Sequence, residues 1–305
     1  MNVRETEFAG IDLSRYAVIP IWYGCNNDCT ICMLANVKQR LNMVTPDRFR
    51  SLVRDLVNDG RYDGLILSGA EITTFDLLEQ YVREVASYGW FTKIQIQTNG
   101  RCLADCDYVS RLVSAGVNEF FISVHGPEPV HDAITRVPGS FRETMTGIMH
   151  LGKFPVRIIT NSVLTRSNYH GIIPLLRMLS DGPAHELHIW NYFPMERIDT
   201  RDLIVRLTDV MALFPDLIKI MVSAEKQLVL KGFPECISPG APCFIDSRFP
   251  LNLIQDDFWS EFGKNGFSTC CYRAICSSRM CWALSSAYID KFGDEHLLLS
   301  PRTGG

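Results

Sequence analysis

The sequence predicts an α/β fold, a partial (β/α)6 barrel of the TIM type with a small cysteine-rich C-terminal region. Three features predict it. Short apolar runs alternate with stretches of helical period, the signature of repeated βα units on a parallel sheet. Three cysteines follow directly on the first apolar run, and after about Phe214 the alternation gives way to Pro, Gly, Asp and Cys.

In chain order the expected strands are Ala17 to Trp22, Gly64 to Leu67, Lys93 to Gln97, Glu119 to Val124, Val156 to Val163 and Glu186 to Tyr192. The expected helices are Thr45 to Asn58, Phe75 to Ser87, Asp107 to Ala115, Ser140 to Leu151, Tyr169 to Leu179 and Thr200 to Leu213, several of them opened by Ser, Thr or Asp caps. Six units fall short of a closed eight-stranded barrel. The organisation that follows is a lead-in over 1–16, a barrel over 17–213 and a separate metal-stapled region over 214–305.

Composition narrows the function classes. With 305 residues, 47% of them hydrophobic and 21% charged, the chain can bury a large core, which excludes a solvated tail or a fibre. A net charge of −4 gives no support to a nucleic-acid backbone as partner. No run of about 18 apolar residues offers a membrane span. Residues Asn2 to Phe8 lack the apolar stretch of a secretory leader, so a cytoplasmic location is expected. Eleven cysteines in such a compartment point to metal ligation rather than disulfides, and their uneven spread suggests two separate sites.

The first group is Cys25, Cys29 and Cys32, spaced Cys-x3-Cys-x2-Cys in the loop after the first strand. Parallel α/β folds place their chemistry at the carboxyl ends of the strands. Three thiolates on a four-iron cluster leave one iron open for another ligand, whereas a structural zinc site is the alternative use of the same thiols.

This spacing after an opening strand resembles the radical S-adenosylmethionine superfamily. The resemblance implies a 4Fe-4S cluster whose open iron chelates the amino and carboxylate groups of S-adenosylmethionine. One electron then cleaves the sulfonium to give a 5′-deoxyadenosyl radical. Ile31 stands where many members have an aromatic residue. Further matches follow in order over roughly residues 17 to 195. Ser68-Gly69-Ala70-Glu71 resembles the family's Gly-Gly-Glu motif with Ala70 for the second glycine, and Glu71 would accept from the methionyl ammonium. Thr98-Asn99-Gly100 and Ser123-Val124-His125-Gly126 resemble the loops that hold the ribose and methionyl portions, with Arg136 a planar partner for the carboxylate. Asn161, Val163, Trp190 and Asn191 would border the adenine, and packing is the competing role for Val163 and Trp190. Cys102 and Cys106 are assigned to packing.

The second group resembles the twitch or SPASM-like auxiliary-cluster extension of the family. It implies a second 4Fe-4S cluster on Cys236, Cys271, Cys276 and Cys281, with zinc on the same thiolates as the alternative. Trp282 follows the last cysteine where a glycine is common. Cys243 and Cys270 are left over, and Cys243 is the candidate thiol hydrogen donor of an epimerase.

Because 24 residues precede Cys25, a separate peptide-recognition domain is not expected ahead of it, which favours a small-molecule substrate. The reading is a radical epimerase of an amino-sugar or polyhydroxylated compound, an aminoglycoside among the candidates. Such a role belongs to antibiotic biosynthesis, and the enzyme would be served by a one-electron reductant such as flavodoxin or ferredoxin. The rival is a radical dehydrogenase or a peptide-modifying maturase, and a non-catalytic iron–sulfur or zinc protein stands further off.

Overall fold

A computed structural model describes residues 13–237, 245–246, 248–267, 270–278 and 281–302. Its centre is one sheet of strands β1 (Tyr16–Trp22), β2 (Gly64–Gly69), β3 (Lys93–Thr98), β4 (Glu119–Ser123), β5 (Arg157–Leu164), β6 (Glu186–Asn191), β7 (Gln227–Lys231) and β8 (Leu251–Asn252). The order is β7-β6-β5-β4-β3-β2-β1-β8, and every pair is parallel. The helices between are α1 (Pro46–Asp59), α2 (Leu78–Ser87), α3 (Cys106–Ala115), α4 (Glu128–Thr135), α5 (Ser140–Leu151), α6 (Ile172–Ser180) and α7 (Leu207–Ala224). Side chains set where they start: Thr45 accepts from the Arg48 N–H at α1, and Asp105 accepts from the N–H groups of Asp107 and Tyr108 at α3.

Two expectations need correction. The sheet has eight strands rather than six, because the barrel rhythm continues past Phe214 through β7. The helix expected over Thr200–Leu213 lies instead at Leu207–Ala224, so the 213/214 boundary falls inside it. Residues Leu203, Ile204 and Val205 are all buried, a run that no one-sided helix can bury. The Asp199 carboxylate holds that segment out of helix by accepting from the N–H groups of Leu203 and Ile204.

The edges of the curled sheet face each other. Leu230 of β7 accepts from the Asp246 N–H, and Val18 of β1 accepts from the Leu253 N–H. The stretch from 246 to 251 therefore crosses from one edge to the other, a gap of no more than about 18 Å at full extension.

Alternation along each strand sorts side chains into two populations. One face, with Ala17, Ile19, Leu65, Leu67, Ile94, Ile96, Phe120, Ile122, Leu187 and Ile189, packs on the helices. The other face points into the barrel lumen, where buried apolar side chains such as Val18, Ile66 and Phe121 alternate with polar groups. Glu119 accepts from Tyr16 Oη at 3.0 Å and from Gln95 Nε2 at 3.3 Å. On the far side, Arg157 Nη2 donates to Glu186 at 2.8 Å and to Gln227 at 3.0 Å. His188 Nε2 donates to Glu186 at 2.7 Å, and Trp190 Nε1 donates to His188 Nδ1 at 3.4 Å. These bonds fix the His188 tautomer and make a continuous chain from the amino end of the barrel to its rim. Burial pushes the Glu186 carboxyl up, but His188 and Arg157 more than offset it and leave it below its ordinary value.

His125 and His131 are both buried, with rings stacked at 5.8 Å, and the His125 N–H donates to His131 Nδ1 at 3.1 Å. Burial takes His125 down to about 3 and His131 down to about 4. Both are neutral in the fold and would be charged when unfolded below about pH 6.5, so their contribution is complete above that pH and is lost as pH falls toward 4. Unfolding near pH 5.5 is expected to take up about two protons, read from the slope of urea stability against pH, with about one removed in His131→Asn. A flat profile between pH 5 and 7 would contradict the assignment.

Candidate radical centre at the barrel rim

The loop carrying Cys25, Cys29 and Cys32 leaves the carboxyl end of β1 and is braced from four sides. The N–H groups of Asp28 and Thr30 donate to the carbonyls of Thr135 (3.1 Å) and Ile134 (2.8 Å) at the end of α4. Asn99 Nδ2 donates to Asn26 Oδ1 at 2.6 Å, and Arg101 Nη1 donates to the Asn26 carbonyl at 2.5 Å and to Asn27 Oδ1 at 2.9 Å. Arg201 Nη1 reaches the Thr30 carbonyl at 2.6 Å. Cys25 is exposed and takes the Asn27 N–H on Sγ at 3.4 Å, while Cys29 and Cys32 are half-buried. Burial first, then the neighbouring Cys25 and Cys32 sulfurs, push the Cys29 thiol up to about 12. Ile31 packs on the main core.

The Gly69-Ala70-Glu71 turn is stitched to this loop. Ala70 N–H donates to the Trp22 carbonyl at 2.8 Å and Glu71 N–H to the Gly24 carbonyl at 2.9 Å. Gly69 has φ +141°, and a Cβ there would sit 2.0 Å from the Trp22 carbonyl oxygen, so only glycine fits. Glu71 is 1% exposed. Its Oε1 accepts from Thr73 N–H (3.0 Å), Thr73 Oγ1 (2.5 Å) and Thr98 Oγ1 (2.6 Å), and its Oε2 accepts from Asn99 N–H (2.6 Å). Burial raises its pKa, with the four donors pulling the other way. The observed work of Glu71 is to lock β2 to the β3 loop, and only Oε2 keeps acceptor capacity for an ammonium group.

The other expected residues divide. Ser123 and Asn161 are register partners on β4 and β5, on the lumen face, and Asn161 Oδ1 is buried with no donor. Val163 also lies on that face and is held by its N–H to His125 Nδ1 at 3.3 Å. Arg136 pairs with Asp28 at 3.0 Å and so braces the cysteine loop. Asn191 Nδ2 donates to the Gly232 carbonyl at 3.1 Å. Asn26, Arg101 and Arg201 were not expected. Arg101 directly follows Thr98-Asn99-Gly100, and that adjacency was the one available signal.

In the C-terminal region, Cys281 Sγ accepts from the N–H groups of Glu235 and Ala283, each at 3.4 Å, which sets it beside Cys236. Cys270 is half-buried against the core and close enough to Cys236 and Cys281 to perturb both electrostatically. Cys276 Sγ accepts from the Arg302 N–H at 3.4 Å, and Arg302 also pairs with Glu235 at 3.2 Å. Cys271 is exposed. It is the sequence neighbour of Cys270, and Cys270 perturbs the Cys271 thiol as well. Cys243 lies outside the described residues. Trp282 stacks on Phe249 at 4.3 Å and meets Phe193, just beyond β6, at 5.4 Å, tying this region to the rim.

Among the described residues, no three His, Cys, Asp or Glu side chains converge closely enough to grip one metal ion. A four-iron cluster takes each thiolate on a separate iron and does not require that convergence. Three thiols on one braced loop, with an orphaned acceptor at Asn161 on the same rim, fit a cluster and a nucleotide ligand.

A parallel α/β barrel with a three-thiol loop at the carboxyl end of its first strand defines a cofactor-dependent barrel class. The chain belongs to the radical SAM superfamily, whose family model matches residues 19–179. Family membership carries a 4Fe-4S cluster and S-adenosylmethionine. An AdoMet-dependent heme synthase of Oleidesulfovibrio alaskensis is 24% identical over 199 residues, which are 65% of this chain and 50% of that protein. The chain spans between 14% and 56% of the length of the curated relatives it matches. Among solved structures, Streptococcus suis SuiB bound to precursor peptide SuiA superposes with a TM-score of 0.56 at 17% identity, covering 70% of this chain and 47% of that one. The anSMEcpe structure with bound AdoMet and Kp18Cys peptide gives 0.60 at 14% identity, covering 93% and 82%. At these identities the superpositions establish the fold. No helix among the described residues is long and apolar enough to cross a membrane.

Proposed function

We propose that this chain is a radical S-adenosylmethionine enzyme acting on a peptide, with the first cluster held by Cys25, Cys29 and Cys32. The carrying observation is the braced three-thiol loop at the end of β1. When bound, the cluster and the nucleotide supply a strong hydrogen-abstracting radical after one-electron reduction by a partner such as flavodoxin or ferredoxin.

The protein's own residues prepare that chemistry. Glu71 holds the Asn99 backbone, and Asn99 and Arg101 hold the cysteine loop, so three strand ends share one geometry. Backbone groups of Gly69 and Ala70 and the Ser123 hydroxyl would serve the methionyl portion of the bound nucleotide, and Asn161 Oδ1, which has no donor, would accept one of its N–H groups beside Val163. Arg136 serves the loop through Asp28 and stands ready for the nucleotide carboxylate. A second cluster is proposed on Cys236, Cys276 and Cys281, with its fourth ligand from the adjacent pair Cys270 and Cys271.

The peptide reading draws on SuiB and anSMEcpe, whose structures hold peptides. The amino-sugar epimerase expected from the sequence finds no support among these relatives. The test is anaerobic reconstitution with iron counting, followed by 5′-deoxyadenosine measurement under reduction. About eight irons per chain and reductant-dependent 5′-deoxyadenosine are expected. Zinc alone at the first loop, with no nucleotide cleavage, would overturn the proposal.

A further inference from the structure

A cavity of about 600 Å³ opens at the opposite end of the barrel, beneath the amino ends of β3, β5 and β7. Its polar lining is cationic or imidazole: Lys93, Arg157, His185 and Lys226, with no carboxylate among the lining residues. The nearby carboxylates lie deeper in the lumen and satisfy only part of this charge. Lys93 Nζ stands 3.6 Å from Glu119, and Arg157 commits Nη2 to Glu186 and Gln227.

Two groups are left short of partners. Arg157 Nε is buried with no acceptor. Lys226 Nζ rests only on the carbonyls of Ala184 (2.6 Å) and Gly182 (3.4 Å), with no carboxylate within ion-pair distance among the described residues. An oxyanion in the cavity would give the half-buried Lys226 ammonium the counter-charge it lacks, whereas Arg157 Nε is closed off from it. His185 Nδ1 accepts the Ile158 N–H at 3.1 Å, so Nε2 carries the proton and is a second donor. Burial, then Lys226 and Arg157, hold His185 below its ordinary pKa, the effect of a site crowded with positive charge.

We propose that this cavity is a second ligand site, separate from the cysteine rim, that takes the phosphate or carboxylate group of a small anionic ligand. Arg157 is also the first member of the chain through Glu186 and His188 to Trp190, so an occupant touches the polar column that ends at the rim.

The experiment is isothermal titration of the reconstituted full chain with inorganic phosphate and, separately, with citrate. Submillimolar binding of one or both is expected, weakening as salt is raised, and the tighter of the two identifies phosphate or carboxylate as the preferred group. Lys226→Gln is expected to weaken binding about tenfold, the worth of one charge-assisted hydrogen bond, and to leave 5′-deoxyadenosine formation unchanged. Lys93→Gln, at a half-exposed position, gives a second reading with the same expected direction. No heat from either anion up to about 10 mM, or affinities untouched in both variants, would overturn the proposal. Failure here leaves the rim chemistry standing, since that is read from iron and nucleotide cleavage alone.

Discussion

Cys29→Ser is expected to lower reconstituted iron from about eight to about four per chain and to reduce reductive cleavage of S-adenosylmethionine to background. Cys29 lies between Cys25 and Cys32 in electrostatic contact with both. Serine keeps the size of the side chain but replaces a soft thiolate with a hydroxyl that ionises far less readily. The fold is expected to survive. The loop is held by backbone bonds to Ile134 and Thr135 and by Arg101 and Arg201, none of which involves the Cys29 side chain. Circular dichroism should match the wild type, and the four irons that remain should belong to the C-terminal cysteines. Retained cleavage in this variant would sink the assignment of the loop.

Glu71→Ala is expected to be the most destabilising single change at the rim. It strips the acceptor from two backbone N–H groups, those of Thr73 and Asn99, and from two threonine hydroxyls, all in a site where the carboxylate is 1% exposed. Hydroxyls can turn to other acceptors, but backbone donors cannot, and each buried donor left bare costs about 1–3 kcal/mol. A loss of about 3 kcal/mol and a fall in Tm of about 5 °C follow, measured by calorimetry on the anaerobic protein. S-adenosylmethionine affinity should fall with it, because Asn99 is the link from Glu71 to Asn26 of the cysteine loop. Glu71→Gln keeps one carbonyl oxygen while turning an amide donor toward the other site, so it should lie between. An alanine variant with unchanged Tm and unchanged nucleotide affinity would show that the lock is not needed.

Much of the barrel was legible because burial on one face imposes a readable alternation, and because Thr45 announces its helix. β7 escaped notice because Gln227 to Lys231 follows α7 with no break in composition, and β8 because a two-residue strand carries no period at all. At the site, the cysteine spacing and the Gly69 turn were readable since covalent sequence sets both. The partners of Glu71, Arg136 and Asn191 were not, because hydrogen-bond satisfaction is decided by chain segments dozens of residues away. Cys270 and Cys271 make the limit plain: they are adjacent in sequence, one half-buried and one exposed, a difference that spacing alone does not carry.

The polar column inside the barrel has a consequence for charge at the rim. Tyr16, Gln95, Glu119, Glu186 and His188 are all buried, and Trp190 stands two strand residues, about 7 Å, further along β6 than His188. Any charge change at the rim is therefore felt through a paired polar interior rather than through open water.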